Sequence, residues 1–266
     1  MFISRCAYAY VFETNRLTVP EETGHYYVPH PFVLEPPLEQ RTYFAKEERL
    51  AFNLVLLGQG LEYLPFFIAA FHLSDKLALG AKRYPFALVK VDQLLEADVI
   101  PVWNEGSSLL RQPAVQNLIA SLNGQACGPA PEELTVLLET PARLVYEGQL
   151  AHRLDFPLLM RALFRRLGLL GKAHGRTALA LPFQELLHAA GAVEAVQTDL
   201  VWQDWDRYSS RQRTKLQMGG LVGSVRFRGK LQPFLPFLRM GEIVHVGKGT
   251  VFGLGKIKLQ TMKSSG

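Results

Sequence analysis

The run Asp155-Phe156-Pro157-Leu158-Leu159-Met160 opens a helix and restricts what can stand on either side of it. Asp155 suits the N-cap, because a short carboxylate accepts a hydrogen bond from an unpartnered first-turn amide. Pro157 fits the first turn, where no amide donor is needed. Phe156, Leu159, Met160, Leu163, Phe164 and Leu167 follow with the helical period, and Arg161, Arg165 and Arg166 fall largely on the other face. A strand is predicted before this helix, over 134–138 and broken by Pro141, and another after it, over 193–205. A further strand over 221–227 ends at Gly229. A short helix with Phe234, Phe237 and Leu238 on one face follows, and then a strand over 251–259. The order β-α-β-β-α-β is that of a ferredoxin-like domain.

The first half repeats the ending of this plan. A strand over 50–57 stops at Gly58. A helix follows with Leu64, Phe67, Ile68 and Phe71 at helical spacing and Pro65 in its first turn, and then a strand over 84–91. Lys82, Phe86 and Leu88 parallel Lys248, Phe252 and Leu254. The chain therefore reads as α+β, with tandem ferredoxin-like domains from a duplicated unit. Residues 8–12 suggest a short strand, and the prolines within 28–34 enforce extended chain. Nothing in 1–49 has the length and period of an opening helix, so the first domain is expected to be incomplete at its N-terminus. The expected division is 1–92 for that domain, 93–130 for a hairpin and linker, and 131–266 for the C-terminal domain with its glycine-rich loop.

That loop holds most of the chemistry. Gly247, Gly249, Gly253 and Gly255 fall within nine residues, behind a separate Gly219-Gly220 pair. Glycines permit close backbone approach and can turn amide N–H groups towards phosphate. The run lacks the Walker spacing, and it leads into a predicted strand where a dinucleotide fingerprint would open a helix. A glycine-rich hairpin without a ligand satisfies the same spacing.

Charge bears on that choice. The net charge is +5 and the pI about 9.2. Between Arg207 and Lys258 the only acid is Glu242, against Arg207, Arg211, Arg213, Lys215, Arg226, Arg228, Lys230, Arg239, Lys248, Lys256 and Lys258. Such one-sidedness points to a polyanion. Trp202, Trp205, Tyr208 and Phe227 lie among these cations and offer either stacking surface or core, with core favoured for Trp202 and Phe227. Cys6 and Cys127 are too few for a disulfide scaffold or a cysteine-only zinc site, and they suit a reducing, cytoplasmic setting. No apolar stretch approaches membrane-spanning length.

The segments Trp205-Asp206-Arg207-Tyr208-Ser209-Ser210-Arg211-Gln212, Gly219-Gly220-Leu221-Val222-Gly223 and His245-Val246-Gly247-Lys248, with Phe252-Gly253-Leu254-Gly255, resemble the C-terminal domain of the CRISPR repeat-RNA endoribonucleases of the RAMP superfamily. Cys6-Ala7-Tyr8 with Val11-Phe12-Glu13, and the stretch from Val28 to Pro36, are similar to the same group. In that family a βα unit precedes the stretch matching Cys6 to Glu13, so the resemblance implies a chain that starts late. It also implies metal-independent cleavage at the base of a repeat hairpin, with no cofactor. The 2′-hydroxyl attacks the adjacent phosphate and leaves a 2′,3′-cyclic phosphate and a 5′-hydroxyl.

Such chemistry needs a base, an acid and positive charge around the phosphorane. The candidate acid–base groups are His30, His25 and His245. His174, in the basic stretch 171–176, reads as a loop residue near phosphate or in solvent. The candidate RNA contacts are Arg207, Tyr208, Arg211, Gln212, Arg213, Lys215 and Lys248, together with the four loop glycines. The expected partner is CRISPR repeat RNA, with other effector subunits or a second copy of the chain left open and no membrane. A RAMP subunit that holds guide RNA without cutting it is the alternative.

Overall fold

The computed structural model describes residues 6–13, 28–39, 41, 43–73, 78–80, 82–95, 98–107, 109–117, 131–175, 182–204, 206–209 and 214–261, with side chains left undescribed over 206–209, 214–217 and at 261. The first half contains α1 (Ala7–Phe12), β1 (Phe32–Glu35), β2 (Asn53–Leu56), α2 (Leu64–His72), β3 (Ala78–Leu79), β4 (Tyr84–Pro85), β5 (Lys90–Leu94) and β6 (Val99–Asn104). Its described strands form two-stranded antiparallel ladders, β1 with β2, β3 with β4 and β5 with β6. Pro65 lies in the first turn of α2, as its missing N–H requires.

Three expectations for this half change. Residues 8–12 lie in helix α1, with Ala9 and Val11 buried. The strand expected over 84–91 is divided between β4 and β5. The boundary expected at residue 92 falls inside β5. The β5–β6 hairpin packs on α2, where Ile68, Val102 and Trp103 form one buried cluster.

The second half is built from β7 (Glu133–Ala142), the small hairpin β8 (Val145–Tyr146) and β9 (Gln149–Leu150), α3 (Phe156–His174), α4 (Phe183–Ala190), β10 (Glu194–Gln203), β11 (Asp206–Ser209), β12 (Thr214–Gln217), β13 (Gly220–Arg228), α5 (Leu235–Val244) and β14 (Ile257–Thr261). The sheet order is β10-β13-β7-β14, with every neighbour antiparallel. In terms of the β-α-β-β-α-β unit this is 4-1-3-2 read from the β14 edge, which is the ferredoxin-like arrangement.

Alternation along β7 explains the layering. Leu134, Val136 and Leu138 are buried, and the intervening residues are half-buried on the other face. On the inner face Phe156 of α3 meets Phe227 of β13 and Phe234 edge-on, each with centroids 5.0 Å apart. Phe164 meets Phe237 of α5 the same way, again at 5.0 Å. Asp155 caps α3 by accepting from Leu158 N–H at 2.7 Å.

Here too details differ from the sequence reading. Pro141 does not break β7, because its carbonyl is used by Gly255 N–H and the ladder resumes at Ala142. Thr250–Phe252 is a 3-10 turn, so the last strand begins only at Ile257. Arg166 is buried and donates from Nε to Val244 O at the end of α5, whereas Arg161 and Arg165 are exposed.

The two halves are joined through polar contacts. Tyr10 O–H donates to His174 Nδ1 at 2.8 Å, and His174 Nε2–H donates to Pro29 O at 2.7 Å. His174 is therefore a buried residue of the last turn of α3 and not a loop residue exposed to phosphate. Burial lowers its pKa, which suits the neutral ring that these two bonds require. Burial also pushes the Tyr10 hydroxyl up to about 12, so it remains a donor. Gly58, at φ +55°, lies so close to His174 O that a Cβ would collide with it.

Candidate RNA-binding end of the C-terminal domain

In an antiparallel 4-1-3-2 sheet, one end collects the exit of the first strand, the hairpin between the two middle strands and the loop into the last strand. In this chain that end holds β8–β9, the β11–β12 extension of the β10–β13 hairpin, the start of α3, and the glycine-rich loop between α5 and β14. The expected RNA contacts are on these connections. Arg207 pairs with Leu216 and Tyr208 with Lys215 across β11–β12, and Lys248 is exposed on the glycine loop. Arg211, Gln212 and Arg213 lie outside the described residues, as does His25.

The glycine loop is clamped to the end of β7. Thr140 Oγ1 donates to Gly253 O and accepts from Lys256 N–H, both at 2.8 Å. Gly255 N–H donates to Pro141 O, Val246 N–H to Gly255 O, and Lys248 N–H to Arg143 O. All four loop glycines have positive φ. A Cβ on Gly255 would collide with Val246 O, and one on Gly247 would lie 2.6 Å from Arg143 O. On Gly253 it would meet Pro36 Cδ at 2.7 Å and Leu34 O at 2.9 Å. The protein's own backbone thus fills the space that glycine leaves. A bulky residue at Gly247, Gly253 or Gly255 would therefore collide with the protein itself.

His245 enters this loop from α5 at φ +61°, ψ +174°, and is fully buried. Its Nδ1 lies 3.1 Å from Leu254 O and its Nε2 2.7 Å from Glu35 Oε1. Both partners are acceptors, so each ring nitrogen faces a hydrogen-bonding oxygen. Glu35, on β1, also accepts from Lys256 Nζ at 3.1 Å and Asn53 Nδ2 at 3.0 Å. Burial alone would push the Glu35 carboxyl up. Hydrogen bonds from His245, Asn53 and Lys256, and the Lys256 charge, outweigh this and hold it at about 2. His245, one of the expected catalytic histidines, is sealed from solvent, and its two nitrogens join it to β1 and to the end of the glycine loop.

His30 is half-buried, and its Nδ1 lies 3.0 Å from Val11 O. Burial lowers its pKa against that bond, which acts the other way, and the Arg166 charge adds to the lowering. The neutral ring is favoured, which is the form a general base needs.

The one-sided charge of the sequence is partly cancelled in space. Arg228 Nε donates to Glu133 Oε1 at 2.8 Å, and Arg226 Nε lies 3.5 Å from Glu133 Oε2. Glu133 lies outside the basic run, on β7. Phe227 is fully buried, so it is core. Trp202 packs against the edge of the main core and donates from Nε1 to Asp204 Oδ1 at 2.9 Å. Two residues at this end, Arg143 and His152, carried no RNA role in the sequence reading. Arg143 Nη1 donates to Gly219 O at 3.2 Å, and the exposed His152 ring lies 4.5 Å from that of Trp202. No motif marks Arg143 or His152, because the hairpin that places them has only two residues per strand.

The C-terminal domain is ferredoxin-like, with its glycine-rich loop between α5 and the last strand. Residues 136–257 match the family model for the CRISPR-associated endoribonuclease Cas6. Residues 1–115 match a model described as an N-terminal domain. Among solved structures the chain is similar to a Cas6 product complex, at TM-score 0.58 and 18% identity, covering 96% of this chain and 89% of that one. It is also similar to Thermus thermophilus Cas6, at TM-score 0.51 and 17% identity, covering 86% of this chain and 79% of that one. A partial Cas6-RT-Cas1–Cas2 complex aligns at TM-score 0.56 and 16% identity, covering 87% of this chain and 39% of that one. No curated protein matches. Among the described residues, no helix is long and apolar enough to cross a membrane.

Proposed function

We propose that this chain binds CRISPR repeat RNA at the glycine-loop end of its C-terminal domain and cleaves it by attack of a 2′-hydroxyl on the adjacent phosphate. The carrying observation is the Cas6-family match over residues 136–257, which takes in β10, β13, most of β7 and the glycine loop. Lys248 and the β11–β12 extension, with Arg207, Tyr208 and Lys215, supply the RNA contacts, joined by Arg211, Gln212 and Arg213. His30 carries the acid–base role. It combines a half-exposed ring with a depressed pKa, so the unprotonated form dominates near neutrality. The reaction proceeds without a metal. Further CRISPR subunits and a second copy of the chain are the macromolecular partners to examine.

The test is incubation of the chain with a synthetic RNA of the repeat adjoining its gene, in EDTA. A 2′,3′-cyclic phosphate on the upstream product and a 5′-hydroxyl on the downstream one are expected. Tight binding without product would replace the nuclease by a guide-RNA-holding subunit, and no binding would end both readings.

A further inference from the structure

We propose that Arg143, His152, Trp202 and Lys248 form a subsite for one unpaired nucleotide of the RNA, with the base against the His152–Trp202 pair and its phosphate at Arg143 and Lys248. The proposal rests on the RNA-binding reading and adds to it a class of nucleotide and three residues.

Four separate chain segments converge to make the subsite. Val145 pairs with Leu150, and Ala151 N–H donates to Leu144 O, so Arg143 and His152 stand on opposite sides of the base of the β8–β9 hairpin. From there the Arg143 guanidinium reaches Gly219 O at 3.2 Å. Gly219 lies against the indole: a Cβ on it would be 2.7 Å from Trp202 Nε1 and 2.5 Å from Asp204 Oδ1. Asp204 in turn accepts from that indole N–H and holds its orientation. The exposed His152 ring lies 4.5 Å from the Trp202 ring, with 33° between the planes. Lys248 is tied to the same point, because its amide donates to Arg143 O at 2.9 Å.

The chemistry of the group selects the ligand. An aromatic pair beside two cations offers stacking and charge together, which is the combination that holds single-stranded nucleic acid. A paired base already has neighbours on both faces within its helix, so a stacking surface at a protein edge serves an unpaired one. The β11–β12 extension begins one residue from Asp204 and places Arg207 and Lys215 next to this point along the chain. Duplex along that extension and a single-stranded nucleotide at its foot would be continuous. The simpler role for Trp202, as the edge of the core, explains its packing but not the exposed histidine seated on it.

The test compares the full chain on two RNAs. One is a fluorescent hairpin with a single-stranded flank, and the other is the same hairpin with abasic flanking residues. His152→Ala removes an exposed ring, and Trp202→Leu keeps apolar bulk for the core while removing the stacking face. Each is expected to weaken binding of the first RNA by about tenfold with an unchanged melting temperature, and to leave binding of the abasic RNA unaltered. Arg143→Gln should lower the slope of log affinity against log salt by about one. Equal losses on both RNAs, or no loss on either, would overturn the subsite while the RNA-binding reading stands. Failure of the unaltered chain to bind either RNA would overturn both.

Discussion

His245 carries two burdens that its neighbours offset: a positive φ and a fully buried polar ring. Removing it should act on stability. His245→Ala leaves Glu35 with Lys256 and Asn53 alone, and loss of a hydrogen bond to a charged group costs about 1.5–3 kcal/mol. Chemical denaturation checks this, and full stability with lost cleavage would return His245 to the catalytic list. Gly255→Ala should also destabilise, by at least about 1–2 kcal/mol for the left-handed backbone, before the collision with Val246 O is counted. His30 predicts a pH profile. A histidine whose folded pKa is lowered keeps its base form to more acid pH, so the acid limb of kcat/KM should fall below 6.5. A limb above 6.5 would point to another base. The same sign applies to stability, since the unfolded chain takes up a proton at His30 more readily as pH falls.

Elements with a strong period were legible in the sequence. The cap at Asp155, the apolar stripe of α3 and the alternation along β7 and β13 describe one face each, and the 4-1-3-2 order follows from joining those faces. The misread elements are those governed by distant partners. Residues 8–12 have the β-prone composition of a strand, yet helix α1 forms there and lays Val11 on Phe32 and Phe67. Val251 and Phe252 look like the start of a strand, but the clamp between Thr140 and the loop holds them in a turn. Arg226 and Arg228 swelled the one-sided charge of the sequence because their counter-charge lies about ninety residues away, on β7. Alanine at Arg226 should therefore leave RNA affinity nearly unchanged. Alanine at Arg207, Arg211 and Arg213 together should weaken it and reduce the salt slope by up to about three. Filter binding across a salt series distinguishes the two sets, and equal effects would remove the β11–β12 extension from the interface.

Across the whole molecule the two halves meet through few but exacting contacts. Leu57 from the first half is buried in the main core, and Val251 from the glycine loop packs on the aromatic cluster of the first half. Between them lies the ionic group centred on Glu35. Its carboxyl is held at about 2, below the ordinary value of 4.5, so its contribution is complete above pH 4.5 and is lost as pH falls towards 2. Acid titration at fixed temperature should show the melting point dropping across that window, and Glu35→Gln should flatten the drop.

The partners of Glu35 have a further consequence for how the chain is made. His245 and Lys256 follow it by 210 and 221 residues. A ribosome therefore releases β1 long before it has produced either of these two partners of the carboxylate. During that interval Glu35 is more stable in water than in its final place, and the first half has reason to stay open until the last strand emerges. The glycine loop can close over β1 only once residues 245–256 have left the ribosome, so a stretch made late relative to β1 completes the contact between the two halves.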